Sequence, residues 1–251
     1  MAVFRGVAVV VGLLTLVRSV LRASRGPGFP LFVLLRPWLE APRAGPLAVG
    51  VLAGLASVLL VPLGASLWGA ARIHPSASLG LAWGGLAAAS LLLKAAFVFF
   101  EEVVYRGSLC TELERSTSAL VAVVASAALF SLAHAGRSPL GLAILWLDGL
   151  GFAAAFLTLG SLWMPLAWHL SKNVAVWALY GGTVELTSGP LRVEVTDSAW
   201  FFGSPEGPGV GDLLVTCVVL ASVLWYLRRA RRSGGQTAGK RSAVPPTSAR
   251  G

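Results

Sequence analysis

The chain has 251 residues, of which 56% are hydrophobic and only 12% are charged, and its mean hydropathy is +0.77. A soluble domain would carry about a quarter charged residues, so the composition excludes a soluble globular protein. The formal charge of +9 is typical of basic residues at the cytoplasmic edge of membrane spans, beside anionic lipid headgroups. We therefore expect membrane lipid, and no nucleic acid, as a partner.

Long apolar blocks predict about seven transmembrane helices, because one span needs about 20 apolar residues. The predicted spans cover residues 2–21, 46–71, 79–100, 118–135, 140–160, 162–180 and 209–227. The first block ends in arginines without a small-residue cleavage site, which favours a retained span over a signal peptide. The segment 29–38 is too short to cross and predicts an interfacial or re-entrant piece. The fold class is therefore an all-α polytopic transmembrane bundle.

The predicted spans divide the chain into five parts. Residues 1–78 hold the N-terminal spans and the interfacial segment, and 79–180 form a core that carries the polar motifs. They are followed by an extramembrane loop (181–209), the last span (210–228) and a disordered basic tail (229–251). Arginines cluster after the first span and after the last. Because Lys and Arg are enriched in cytoplasmic loops, we expect a multi-pass protein of the cell membrane with a cytoplasmic tail.

Three charged residues, Glu101, Glu102 and Arg106, follow an apolar run that should lie in the bilayer. Glu102 and Arg106 are four residues apart on a helix, with the acid first, which favours an ion pair. Glu101 is rotated from Glu102 by about 100°, so its carboxylate points elsewhere. The alternative is an interfacial cap whose charges lie in headgroup water.

Two further polar groups lie in later spans. Phe130 and His134 share one helical face, and so do His169 and Asn173, because each pair is four residues apart. Ionisable residues inside spans are expensive and indicate function. The alternatives are a hydrogen-bonded interior histidine and a polar clasp between helices. Phe130 can exclude water from the histidine one turn later.

The three groups can meet if the helix that holds Glu101 continues beyond it. With turns near residues 116 and 160 and a rise of 1.5 Å per residue, Glu101, His134, His169 and Asn173 fall within about two helical turns of one depth. Peptide hydrolysis needs a base for water and donors for the developing negative charge. The four side chains include both.

In this order, Glu-Glu-x-x-x-Arg, Phe-x-x-x-His and His-x-x-x-Asn resemble the signature of the CPBP intramembrane proteases. That family comprises the type II CAAX prenyl endopeptidases and the bacteriocin-processing or abortive-infection-type proteins. The resemblance covers residues 98–177, so the CAAX-protease-like core would lie on the middle spans. It implies that Glu101 and His134 activate water, that His169 and Asn173 stabilise the oxyanion, and that Glu102 and Arg106 hold the architecture.

Metal dependence stays open at this point. Glu101, His134 and His169 make a His₂Glu set that is competent to bind zinc with an open fourth position. The alternative is metal-free hydrolysis with Glu101 as the base, which we favour because the sequence lacks a compact His-Glu-x-x-His helix. The cofactor is therefore either none or zinc.

Other functions remain possible from the sequence. The polar cluster could hold helices together in a non-catalytic immunity or scaffold protein. It could also relay protons through Glu101, His134 and Asp148 in a transporter, although the spans show no inverted repeat. Asp148 lies outside the three motifs, and pairing with Lys172 would account for it. As an enzyme, the protein would act on a membrane-associated peptide or protein, for which we do not expect prenylation.

Overall fold

The computed structural model describes residues 10–12, 14–15, 41–76, 83–180, 189–203 and 207–241, with side chains described as far as residue 232. The elements are α1 (Ala44–Leu67), β1 (Ala71–Pro75), α2 (Trp83–Glu102), a π-helix (Val103–Cys110), α3 (Thr111–Ser116), α4 (Ala119–Ala133), α5 (Pro139–Leu159), α6 (Trp163–Tyr180), β2 (Leu191–Val195), α7 (Ala199–Phe202) and α8 (Val210–Arg241). The helical bundle confirms the predicted fold class.

Four helices are long and apolar enough to cross a membrane. They are Ala44–Leu67, Trp83–Ser116, Pro139–Leu159 and Val210–Arg232, and the apolar helix Ala119–Ala133 is shorter. The predicted span 162–180 forms α6, whose polar residues lower its hydropathy. The predicted interfacial segment 29–38 and most of the first predicted span lie outside the described residues, so the total of seven spans stays a prediction.

One continuous helical segment carries the first motif. The helix Trp83–Ser116 has 34 residues, and Glu101 lies near its middle, so the helix does continue past the paired acids. The turns that follow also lie where the sequence predicts them. Ser118 caps α4 by accepting a hydrogen bond from the Val121 N–H, and Gly160 ends α5 in the left-handed conformation, which suits glycine.

Helix α1 packs along α6 more extensively than any other pair of described elements. The contact is close because glycines of α1 face the α6 backbone. A Cβ atom on Gly50 would lie 2.6 Å from the Met164 carbonyl oxygen, and one on Gly54 would collide with the Trp168 carbonyl oxygen. Small residues allow such close approach of membrane helices. Helix α1 therefore supports the helix that carries the third motif.

We expect Gly54→Ala to destabilise the bundle by about 1–3 kcal/mol, since the added methyl group meets backbone atoms that cannot rotate away. Gly64 offers a matched control on the same helix, because a Cβ atom added there would have nothing within 4 Å. Gly64→Ala should leave stability unchanged or raise it slightly. Thermal unfolding in detergent measures both, and equal melting temperatures for the two variants would contradict the close α1–α6 contact.

Structure also appears in regions predicted as irregular. Strands β1 and β2 pair antiparallel, with Ala71 opposite Val195 and Pro75 opposite Leu191, so the predicted extramembrane loop 181–209 contains a strand and the short helix α7. Helix α8 continues to Arg241, into the stretch 229–251 predicted as a disordered tail. Residues 242–251 lie outside the described residues.

Candidate active site

Glu101 and Glu102 are the last two residues of α2, directly before the π-helix. Their side chains point to different environments, as the helical rotation predicts. The Glu102 side chain is fully buried, whereas 27% of the Glu101 side chain is exposed. π-Helical segments are rare and occur frequently at functional sites. The two neighbouring carboxylates therefore lie in different environments, one inside the bundle and one in an accessible position.

A buried chain of polar contacts runs from Arg106 through Glu102 to His169. The Oε1 atom of Glu102 accepts a hydrogen bond from Arg106 Nη1 at 3.1 Å and one from His169 Nδ1 at 2.8 Å. The Arg106 side chain is fully buried and the His169 side chain nearly so. This confirms the predicted Glu102–Arg106 pair and joins two of the three motifs. Glu102 also orients the His169 ring.

Glu101 faces a histidine with each carboxylate oxygen. Its Oε1 atom lies 3.6 Å from His134 Nε2, and its Oε2 atom lies 3.5 Å from His169 Nε2. His134 Nδ1 is 2.9 Å from the carbonyl oxygen of Phe130. A carbonyl oxygen can only accept, so His134 donates from Nδ1, and in its neutral form the Nε2 lone pair is directed towards Glu101. The structure thus brings Glu101, His134 and His169 together.

Aromatic rings surround this cluster. Phe130 is fully buried and contacts the His169 ring edge to face at a centroid distance of 5.5 Å. Phe152 stacks on His169 at 5.1 Å, with only 19° between the ring planes. The Arg106 guanidinium lies over both phenylalanine rings, at 4.5 and 4.9 Å. These rings shield the buried charges from water and strengthen their attraction.

Phe152 was not predicted as a site residue. It lies in an apolar stretch of α5, and no spacing rule distinguishes it from Phe156, the other phenylalanine of that helix. Phe130 was predicted because it shares a face with His134. Only the folded arrangement of α5 beside α6 shows that Phe152 covers one face of the His169 ring.

Asn173 lies one helical turn after His169 on α6 and is partly buried. Within the described part of the chain, the Asn173 side chain makes no hydrogen bond to Glu101, to His134 or to any other residue. The spacing of four residues places it on the same face as His169. Its carboxamide can therefore serve a bound substrate.

Asp148 pairs with Lys172, as one interpretation of the sequence predicted. The Lys172 Nζ atom donates to Asp148 Oδ2 at 2.5 Å, between α5 and α6. The carboxylate is thus already engaged by a cation, and among the described residues no hydrogen bond or ion pair joins it to Glu101 or His134. This arrangement does not favour the proton relay of a transporter.

The zinc alternative can be compared with the geometry of the donors. In both histidines Nδ1 is engaged by an oxygen acceptor and Nε2 faces Glu101, a donor set whose chemistry suits zinc. Among the residues that the structure describes, however, no group of three or more His, Cys, Asp or Glu side chains is arranged to hold a metal ion.

The fold and the site together define a multi-span helical membrane protein in which a partly exposed carboxylate meets one partly exposed and one nearly buried histidine inside the bundle. Residues 83–175, which include the three motifs, match the family model described as type II CAAX prenyl endopeptidase Rce1-like. The match confirms the resemblance read from the motifs, and it covers the part of the chain that carries them. No curated protein and no solved structure matches the chain.

Proposed function

We propose that the protein is an active intramembrane endopeptidase that hydrolyses a peptide bond with a water molecule held by Glu101 and His134. The observation that supports this proposal most strongly is the position of Glu101, whose two oxygens face the Nε2 atoms of two histidines. The side chains of Glu101 and His134 are equally accessible. A water molecule between them can donate one hydrogen bond to the carboxylate and one to the imidazole.

With both hydrogens donated, the water oxygen directs a lone pair towards the carbonyl carbon of the substrate. As its oxygen attacks, Glu101 takes one proton as the general base. His134 holds the second hydrogen and is itself fixed by donation from Nδ1 to the Phe130 carbonyl oxygen. The C–N bond of the tetrahedral intermediate then breaks, and the proton held on Glu101 passes to the leaving amine.

The negative charge of the intermediate needs hydrogen-bond donors. Asn173 supplies its carboxamide N–H groups. His169 can donate from Nε2 while that atom holds the proton that Glu101 took from water, since the two groups are 3.5 Å apart, and the proton returns to Glu101 before it passes to the leaving amine. Oxyanion donors act strongly because they are preorganised, and His169 is held by Glu102 and Phe152 before substrate binds. Glu102 and Arg106 have a structural role in this mechanism.

The substrate that fits this site is a membrane-associated peptide or protein. Helix α2 exposes large apolar side chains beside Glu101, among them Phe97 and Phe100, and an exposed apolar face in a membrane helix faces lipid. The matching family is named for cleavage of prenylated CAAX proteins. We propose peptide recognition near the bilayer without a requirement for prenylation.

Hydrolysis can be tested with the full-length protein in lipid nanodiscs and membrane proteins extracted from the source cells. In water enriched in ¹⁸O, mass spectrometry should find new C-terminal carboxylates that carry one ¹⁸O atom. Products should be absent with Glu101→Gln protein. The proposal fails if no peptide is cleaved, or if equal products form with the wild-type and Glu101→Gln proteins.

We expect Asn173→Ala to lower kcat by about 10²–10³-fold, the usual cost of removing one oxyanion donor. The melting temperature should change little, because the Asn173 side chain is only partly buried and forms no hydrogen bond within the described residues. Steady-state kinetics on an identified peptide and thermal unfolding measure the two effects. Wild-type kcat in this variant would remove Asn173 from the oxyanion site.

For metal dependence, we expect purified active protein to contain less than stoichiometric zinc and to keep its activity in chelator. Our reason is that Glu101 and His134 suffice to hold and deprotonate water. Elemental analysis and activity after dialysis against chelator provide the measurement. Stoichiometric zinc, with activity lost to chelator and restored by zinc, would establish the His₂Glu alternative.

A further inference from the structure

We propose that the ion pair Asp148–Lys172 is a positioning device that sets the orientation of the His169 ring. The catalytic consequence rests on the proposed function, whereas the effect on the ring does not. Asp148 belongs to none of the three motifs, and neither does Lys172. The Asp148 side chain is 2% exposed and that of Lys172 is 14% exposed, so the pair lies within the bundle.

Asp148 depends on Lys172 for compensation of its charge. Asp148 Oδ2 binds Lys172, while Asp148 Oδ1 has no hydrogen-bond partner in the described part of the chain. Lys172 is therefore the group that compensates the buried charge of Asp148. Removing Lys172 leaves Asp148 in an apolar environment without its partner, which is strongly unfavourable, whereas Lys172 also interacts with the Asp212 carboxylate. The bundle thus selects the one alignment of α5 against α6 in which the two charges meet.

That alignment also places Phe152 against His169. On α5, Asp148 and Phe152 are one turn apart, and on α6, His169 and Lys172 are three residues apart. Because the two helices run antiparallel, the contacts Asp148–Lys172 and Phe152–His169 lie at successive levels of one interface. A movement of α5 along α6 that separated the ions would therefore also displace the phenylalanine ring.

Ring stacking fixes the plane of His169, since Phe152 lies parallel to it and Phe130 meets it at 90°. Only in this plane can Nδ1 donate to Glu102 while Nε2 faces Glu101. A tilted ring would lose one of these contacts. The ion pair therefore acts on the site through Phe152 and His169, and it does not contact the reacting atoms.

The experiment uses the three histidines of the chain. Labelling with ¹⁵N-histidine gives ring signals for His74, His134 and His169 alone, assigned by single replacement, with the exposed His74 as internal reference. The variants are Asp148→Asn, Lys172→Met and the amide pair Asp148→Asn/Lys172→Gln. Each is compared with wild type for the His169 Nδ1 signal, the melting temperature, kcat and KM.

In the single variants, we expect the His169 Nδ1 signal to shift or broaden while the His74 signal stays constant. The kcat should fall by about 10- to 100-fold with little change in KM, the range expected for a small displacement of a reacting group. The amide pair should restore much of both, because two amides can hydrogen-bond across the same interface. An unchanged His169 signal in folded single variants would overturn the proposal.

Two further outcomes are decisive. If the single variants do not fold, the apolar pair Asp148→Leu/Lys172→Leu replaces them, since it buries no charge. This protein should fold with an altered His169 signal, and a wild-type signal would overturn the proposal. If the wild-type protein cleaves no peptide, the proposed function fails, but a shifted His169 signal in the single variants still supports the positioning role.

Discussion

Replacing Glu101 by Gln should lower kcat for peptide hydrolysis by about 10²–10⁴-fold, the usual contribution of a general base. The amide keeps the shape of the side chain but cannot take a proton from water. The KM and the melting temperature should stay close to wild type, because Glu101 is partly exposed and its contacts with the two histidines are no shorter than 3.5 Å. Steady-state kinetics and thermal unfolding in one detergent give all three quantities.

Glu114 provides the control for this change. It is exposed in α3, on the same continuous helix, and away from the site. Glu114→Gln makes the same acid-to-amide change and should leave both kcat and the melting temperature unaltered. Undiminished turnover by Glu101→Gln protein would contradict the hydrolytic mechanism with or without zinc, since Glu101 is essential in both.

Replacing Glu102 by Gln, in contrast to the change at Glu101, should mainly lower folding stability, by about 3–5 kcal/mol. Arg106 is fully buried, and Glu102 is its ion-pair partner. The amide oxygen can still accept a hydrogen bond, but the guanidinium charge is no longer compensated. His169 also loses a charged acceptor for Nδ1. Thermal or denaturant unfolding, together with the yield of monodisperse protein, measures the loss.

The double variant Glu102→Gln/Arg106→Met should be more stable than Glu102→Gln alone, because it removes the guanidinium that would be left without a partner. If Glu102→Gln has wild-type stability, the buried chain from Arg106 to His169 is not what holds the site together. The Glu101→Gln variant also distinguishes a protease from a non-catalytic scaffold. In a protease, this variant loses turnover and keeps its fold. In a scaffold, the substitution would change only the folding stability.

Much of the site follows from local rules that need no three-dimensional information. The Glu102–Arg106 pair follows from the four-residue spacing, and the different exposure of Glu101 follows from its rotation on the helix. Their meeting with His134 and His169 follows from the rise per residue once the turns near residues 116 and 160 are placed. Each of these inferences depends on helical periodicity, which is strong in long apolar helices.

The features that were not predicted depend on contacts between distant segments. Phe152 has no distinguishing spacing, and its role arises only because α5 lies against α6. The pairing of β1 with β2 joins strands more than a hundred residues apart, and short strands beside polar loops have no clear pattern. Which nitrogen of His134 donates is set by the backbone carbonyl of Phe130, which a sequence does not display.

The π-helix of residues 103–110 follows directly after the paired acids, and its hydrogen bonds span five residues instead of four. The number of residues per turn therefore differs from that of α2. As a result, the face of the helix that contacts other helices changes at the start of the π-helix. On the N-terminal side of the π-helix, α2 packs mainly on α6, whereas the π-helix itself contacts α4 and α5. The helix Trp83–Ser116 thus combines an N-terminal half that exposes large apolar side chains with a following segment packed among other helices. Glu101, the proposed general base, lies at the junction, so the proposed mechanism predicts that a substrate would approach it from the exposed side of α2.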